Sequence, residues 1–301
     1  MFRRRGHFLR ISKTTLKPLD TAILLLLAAG GVYLSYRIKT GLHYKWNWSV
    51  IPQYLLYFDD DSKSWIPNLL LQGLFTTLRL SIWGTILATF FGTVMGLFRI
   101  STSLFKRLVG RTYVEVIRNL PPLVLIFIFY FFVSDQIMTI IGVEDFVRSR
   151  SPSTRALLTF FFAPPAQFSA FLSGVVTLAL FEGAYIAEIV RAGIQSIERG
   201  QWEAGHALGL TWRHQMFDII LPQATHRILP PLAGQFISTI KDSAIVSVIS
   251  IQELTFQGME LMSATYLTFE IWITVTGLYL LLTLTLSLGV GRLEVQMRKR
   301  Y

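Results

Sequence analysis

The sequence predicts an all-α, polytopic membrane protein with six transmembrane helices and both termini on the cytoplasmic side. Three observations carry that prediction. Of the 301 residues, 52% are hydrophobic and 15% charged, against about 25% charged in an ordinary soluble domain. The charges leave windows of about 20 residues nearly free of them, the length that crosses a hydrocarbon core. The lysines and arginines, finally, collect in alternate connections between those windows.

The first window, Leu19–Tyr36, follows a basic tail of residues 1–18 that carries Arg3, Arg4, Arg5, Arg10, Lys13 and Lys17. It lies far from the N-terminus and lacks a small-residue cleavage site, so it reads as a signal anchor rather than a cleaved signal. Residues 37–67 form an external segment mixing Tyr44, Trp46, Trp48, Tyr54, Tyr57 and Trp65 with the acidic run Asp59, Asp60, Asp61. Aromatics of this kind anchor at headgroup level. The remaining spans, Leu70–Phe98, Tyr113–Val133, Phe168–Ile189, Ile228–Ile249 and Phe269–Val290, belong to a body of residues 68–294, followed by a short tail, 295–301.

Arg99, Lys106, Arg107, Arg111 and Arg118 sit between the second and third spans, and Arg191, Arg199, Arg213 and Arg227 between the fourth and fifth. Arg292, Arg298, Lys299 and Arg300 follow the last. The opposite side holds fewer: Arg37, Lys39, Lys45, Lys63, Arg148, Arg150 and Arg155. Positive residues accumulate inside, which places the N-terminus, the C-terminus and the long loop 190–226 in the cytoplasm. The net charge of +10 therefore reports topology and not a nucleic-acid footprint.

Composition also removes several chemistries. There are no cysteines, so no disulfide, thiolate nucleophile or cysteine zinc site is available. His7, His43, His206, His214 and His226 lack metal-ligand spacing, so no metal site is expected. No G-x-x-x-x-G-K-[ST] loop is present to cradle ATP, and no nucleophile–base pair falls at usable spacing. The chain is not expected to be an enzyme or to bind a cofactor, and any energy source must lie on another subunit.

The loop between the fourth and fifth spans is the most informative segment. It reads Glu198-Arg199-Gly200-Gln201-Trp202-Glu203-Ala204-Gly205, continues to Gly209 and ends Ile219-Ile220-Leu221-Pro222. Good helix formers run from Ile197 to Leu208, Gly209 can stop that helix, and Thr211 can cap a second one through Phe217. Pro222 fits at the entry of the fifth span. Ala204 and Gly205 offer a small-residue face for a partner groove.

This spacing resembles the E-A-A-x3-G-x9-I-x-L-P signature of ABC importer permeases. Glu203, Ala204, Gly209, Ile219, Leu221 and Pro222 match it, and Gly205 departs where a second alanine is usual. Further segments resemble the polar amino-acid (histidine/glutamine/glutamate-type) branch: Gly73-Leu74-Phe75-Thr76-Thr77-Leu78, Arg118-Asn119-Leu120-Pro121-Pro122, Ala184-Tyr185-Ile186-Ala187-Glu188-Ile189-Val190-Arg191-Ala192-Gly193, and Lys241-Asp242-Ser243 with Ile251-Gln252-Glu253-Leu254. The resemblance covers residues 73 to 294. It implies a five-helix type I importer core plus one extra N-terminal helix, in a multi-pass protein of the bacterial inner membrane. It implies an ATPase homodimer that holds ATP and Mg, a second permease copy or paralogue, a solute-binding protein and a polar amino-acid substrate. In the family the short coupling helix docks in a cleft of the ATPase, and Glu203 takes the acidic role at that contact. The rival readings are a secondary transporter, which predicts inverted repeats that are not visible, and an ABC permease for another solute.

Ionisable residues inside spans are costly and face a bundle interior or a wet path. Glu182 lies mid-span, one turn from Tyr185, and the two can share a face. Glu182 reads either as a carboxylate lining a path for an ammonium group or as a helix-packing acid. Lys241 and Asp242 are adjacent and point to different sides, and with Ser243 they mark a break in the fifth span; they read either as a gate or path, which the resemblance implies near this region, or as internal packing ion pairs. Arg79 is expected to snorkel outward in a structural role, and Glu188 to pair locally with Arg191.

Overall fold

A computed structural model describes residues 18–41, 44–61 and 63–298. The basic tail with Arg3, Arg4, Arg5, Arg10, Lys13 and Lys17, and also His7, His43, Lys299 and Arg300, lie outside the described residues. The chain divides into two units at Trp46 and Asn47. Among its described residues the first unit holds one helix, α1 (Pro18–Gly41), whose apolar stretch, Pro18–Tyr33, is shorter than the long apolar helices of the second unit.

The second unit opens with α2 (Ile51–Leu55) and a hairpin of β1 (Leu56–Asp59) and β2 (Ser64–Pro67), antiparallel, with Tyr57 opposite Ile66. This small sheet was not expected from the sequence, where acidic residues dilute its aromatics. A two-stranded ribbon is marginal alone, and Phe58 packs edge-on against Trp65 across it.

Five helical segments in this unit are long and apolar enough to cross a membrane. The first is α3 (Leu69–Ile100), started by Asn68, whose side chain accepts from the Leu69 amide. After α4 (Leu104–Asn119) the second comprises α5 (Pro122–Phe127), a π-turn at Ile128–Ser134, and α6 (Asp135–Ile141). The expected span Tyr113–Val133 is thus corrected to Pro122–Ile141. Pro122 cannot donate a backbone hydrogen bond, and Leu120 and Pro121 are extended or near it, so the helix breaks there. Short helices α7 (Val143–Arg148) and α8 (Pro152–Phe161) lead to α9 (Phe168–Gln195).

The loop after α9 contains α10 (Arg199–Ala207) and α11 (Trp212–His214), then a π-turn at Gln215–Ile220 that runs without a break into α12 (Leu221–Asp242). The second loop helix therefore does not end near Phe217. The wide π-turn precedes Pro222, which has no N–H to give, so a continuous helix absorbs the proline instead of stopping at it. At Ser243 the α-helix tightens to a 3-10 turn through Ile249, closed by Ser250 at φ +60°. The break expected beside Lys241 and Asp242 is therefore only a change of helix type, and the chain leaves helix seven residues later, at Ser250. Last come α13 (Leu254–Thr265) and α14 (Thr268–Arg298).

The core is the pair α3 and α9. In a bilayer, lipid tails remove the hydrophobic drive between helices, so close van der Waals packing decides which pairs form. Along α3, Gly84, Ala88, Gly92 and Gly96 repeat every four residues and are all buried. Their partners on α9 advance in the same direction: Leu178 at Gly84, Ile186 at Gly92, Val190 at Gly96. The helices therefore run parallel, and their C-terminal ends meet at one end of the bundle. A β-carbon on Gly92 would stand 2.7 Å from Ile186 Cβ, closer than packed carbons tolerate. The apolar window of α9 is 72% buried, whereas that of α14 is 6% buried, which makes α9 the central helix and α14 a peripheral one.

Candidate functional site

Two places gather the residues that the sequence singles out: the loop joining α9 to α12, and the interior between the same two helices. At the loop, α10 ends where Gly209 adopts φ +70°, a conformation glycine takes without strain. Thr211 then caps α11 by accepting from the His214 amide. Side chains tie the loop back on itself. Gln215 donates to the Trp202 carbonyl, Gln223 to Gln201 at 3.2 Å, and Arg227 to the Ser196 carbonyl.

Gly205 is buried in that closure and does not lie on the outer face with Ala204. An alanine β-carbon would come within 2.7 Å of Gln215 Nε2, so glycine here is what lets Gln215 reach Trp202. The outer face instead shows Glu203, Ala204 and Leu208, the last 75% exposed. Glu203 makes no hydrogen bond or ion pair among the described residues. Ile219 is half-buried against a core that includes Met216 and Ile220, Leu221 packs there too, and Pro222 is exposed in the first turn of α12.

In the interior, Glu182 on α9 is fully buried. Its Oε2 accepts from Gln235 Nε2 on α12 at 2.6 Å, while Oε1 has no hydrogen-bond partner. The Asp242 and Thr239 side chains lie within hydrogen-bonding reach of it. Tyr185 stands one turn along, half-buried, with Phe181 edge-on and the Arg118 guanidinium 5.6 Å from its ring centre. Lys241 is exposed while Asp242 is half-buried, so the adjacent charges do diverge. Ser243 is buried and donates to the Ile240 carbonyl at 2.8 Å, locking the first 3-10 turn.

Other expectations sort cleanly. Glu188 pairs with Arg191, and also with Arg99 from α3, a partner that sequence spacing does not reveal. Arg79 takes the expected structural role: its Nη1 donates to the Thr159 carbonyl at 2.6 Å and its Nε to the Phe75 carbonyl. With Trp83 Nε1 on the Phe161 carbonyl, it holds the end of α8, whose last carbonyls have no partner within that helix. Sequence reasoning also missed Gln235, whose contact with Glu182 spans 53 positions. Among the described residues, no cluster of histidines and carboxylates could hold a metal ion.

The family model of the binding-protein-dependent transport system inner membrane component matches residues 84–299. The chain is 32% identical over 234 residues to the probable glutamine ABC transporter permease protein GlnM of Bacillus subtilis strain 168, covering 78% of this chain and 95% of that one. It is 31% identical over 237 residues to the glutamate/aspartate import permease protein GltJ of Escherichia coli K12, covering 79% and 89%. A crystal structure of an amino acid ABC transporter with histidines superposes with a TM-score of 0.64 at 32% identity, over 84% of this chain and 100% of the other.

Proposed function

The chain belongs to the family of binding-protein-dependent transport system inner membrane components, and on that premise we propose that it is the membrane-spanning permease subunit of an ATP-driven importer of polar amino acids. It is a multi-pass permease and not an enzyme; ATP is hydrolysed by a separate subunit. Family membership sets aside the secondary-transporter reading. The observation that carries the coupling role is the α10 knob, which presents an unpaired Glu203 and an exposed Leu208 on a helix held by Gln215 of the π-turn and Gln223 of α12, while Arg227 of α12 holds the end of α9.

Six spans, with both termini and the knob in the cytoplasm, fit the arginine distribution and the alternation of the five long helices. Two permease copies, or this chain with a paralogue, enclose the path, and each seats its knob on one subunit of an ATPase dimer that holds ATP and Mg. Closure of the ATPase draws the knobs together. Gln215 and Gln223 tie α10 to the continuous rod of α11, the π-turn and α12, so displacement at Glu203 passes through those bonds to Pro230 and Pro231, where α12 can bend, and on to the 3-10 turn at Ser243. That turn adjoins Glu182, Tyr185, Lys241 and Asp242, so a rigid-body movement opens or closes the path beside them. Glu182 and Asp242 would receive the ammonium group of an amino acid handed over by a binding protein.

Uptake of labelled amino acids into vesicles holding the assembled importer tests this. Glu203→Ala is expected to lower ATP-dependent uptake at least about tenfold, equivalent to a lost charged contact of roughly 1.5–3 kcal/mol, and to weaken ATPase co-purification. Uptake that persists without ATP would overturn the reading.

A further inference from the structure

The end of the bundle where α3 and α9 finish carries an open pocket of about 420 Å³ beside α4, within the size range of ligand sites. Arg99 from α3, Arg191 from α9, and Arg107 and Arg111 from α4 line it. Arg99 and Arg191 share one carboxylate, Glu188. Arg107 and Arg111 have no ion pair among the described residues and are exposed. Glu115 on the same wall is occupied by the Asn119 amide at 3.1 Å. Guanidinium groups therefore outnumber carboxylates around a cavity that nothing in the mechanism above uses. A second pocket, of about 390 Å³, shares Arg99 and Arg107 and extends toward Trp202 of the coupling loop.

On α4, Leu104 and Leu108 stand one turn apart on the same wall, 61% and 52% exposed, next to Arg107 and Arg111. Phe105 beside them is 75% exposed. An amphipathic helix that directly follows a membrane span, with arginines over an exposed apolar edge, matches the two ends of a phospholipid. Basic pockets between helices at the membrane surface hold anionic headgroups. Planar guanidinium groups suit phosphate oxygens better than ammonium groups do, because each offers paired donors. We propose that this pocket binds an anionic phospholipid, its phosphate on Arg107 and Arg111 and its acyl chains along Leu104, Leu108 and Phe105. A free phosphate would leave that apolar edge in water, which is why the lipid is the favoured source. The site needs only that this end of α3 lies at the membrane surface, so it stands apart from the identity of the transported solute.

The test is retention of phosphatidylglycerol against phosphatidylcholine by the full-length chain in its assembled complex, measured by native mass spectrometry. Arg107→Gln combined with Arg111→Gln is expected to lower phosphatidylglycerol retention about tenfold and leave phosphatidylcholine unchanged. The double Lys variant is expected to recover part of it, since charge returns without the paired donors. Both side chains are exposed, and an unchanged gel-filtration profile confirms that the fold is kept. Leu104→Ser is expected to weaken retention with every arginine in place, which gives a second reading independent of charge. Equal retention by the wild type and the glutamine variant would overturn the proposal. So would displacement of the lipid by soluble glycerol phosphate, which would make this a free-anion site. Loss of the ATPase subunit with lipid retention unaltered would overturn it as well, by assigning the surface to a protein partner.

Discussion

Two buried carboxylates in different parts of the helical body have opposite surroundings. Glu253, at the start of α13, is fully buried and saturated: Oε1 accepts from the Phe256 amide, and Oε2 from the Thr255 amide, Thr77 Oγ1 and Tyr279 Oη, at 2.7 to 3.3 Å. It knots α3, α13 and α14 together. Glu182, equally buried between α9 and α12, accepts from Gln235, has the Asp242 and Thr239 side chains beside it, and leaves Oε1 without a hydrogen bond. A satisfied buried acid rigidifies, whereas an unsatisfied one costs free energy that a packed structure avoids unless something else supplies the partner. The contrast assigns Glu253 to architecture and supports the proposal that Glu182 is the acid with capacity for a ligand.

The sharpest way to break this contrast is Glu253→Ala. It would strand several buried donors at once and is expected to destabilise the protein by about 3–5 kcal/mol, seen as a large drop in melting temperature in detergent. A small drop would mean that water reaches the cluster and that Glu253 is no anchor. Next in size is Glu182→Gln, which keeps the shape and removes the charge. Uptake is expected to fall about tenfold or more, roughly 1.4 kcal/mol, while the melting temperature changes little. If uptake holds and stability drops instead, Glu182 is a packing acid and the comparison collapses. Tyr279→Phe is the mildest probe. It removes one hydrogen bond of 2.7 Å to Glu253 and is expected to cost about 1 kcal/mol of stability without altering which amino acid is taken up. A shift in substrate preference would link the Glu253 knot to the path after all.

The coupling loop was legible because it is local. Glu203, Gly209 and Pro222 fall within twenty residues, and capping by Thr211 and the stop at Gly209 follow from backbone chemistry that each residue carries by itself. Even there, reading Ala204 and Gly205 as one small face failed. The fold of Gln215 back onto Trp202, which takes Gly205 inside, depends on a turn rather than on neighbours in the sequence. The interior was legible only as a set of candidates. Glu182, Lys241 and Asp242 stand out in apolar runs, yet nothing in the runs says that Gln235 meets Glu182 or that Arg99 joins Glu188.

By itself the sequence determined the helical membrane class, the five long apolar segments, though it counted the shorter N-terminal apolar helix as a sixth, and the helix-stop chemistry of the loop. Hydropathy, the missing proline N–H and the conformational freedom of glycine act over a few residues, so they need no partner to be read. The tertiary structure alone decided that α3 and α9 run parallel, which acids are saturated and where the arginines of α4 open a pocket. Those outcomes hang on close approach between segments far apart in the chain. In a bilayer, where apolar helices gain nothing simply by leaving lipid, that approach is chosen by the fit of small residues against large ones rather than by composition.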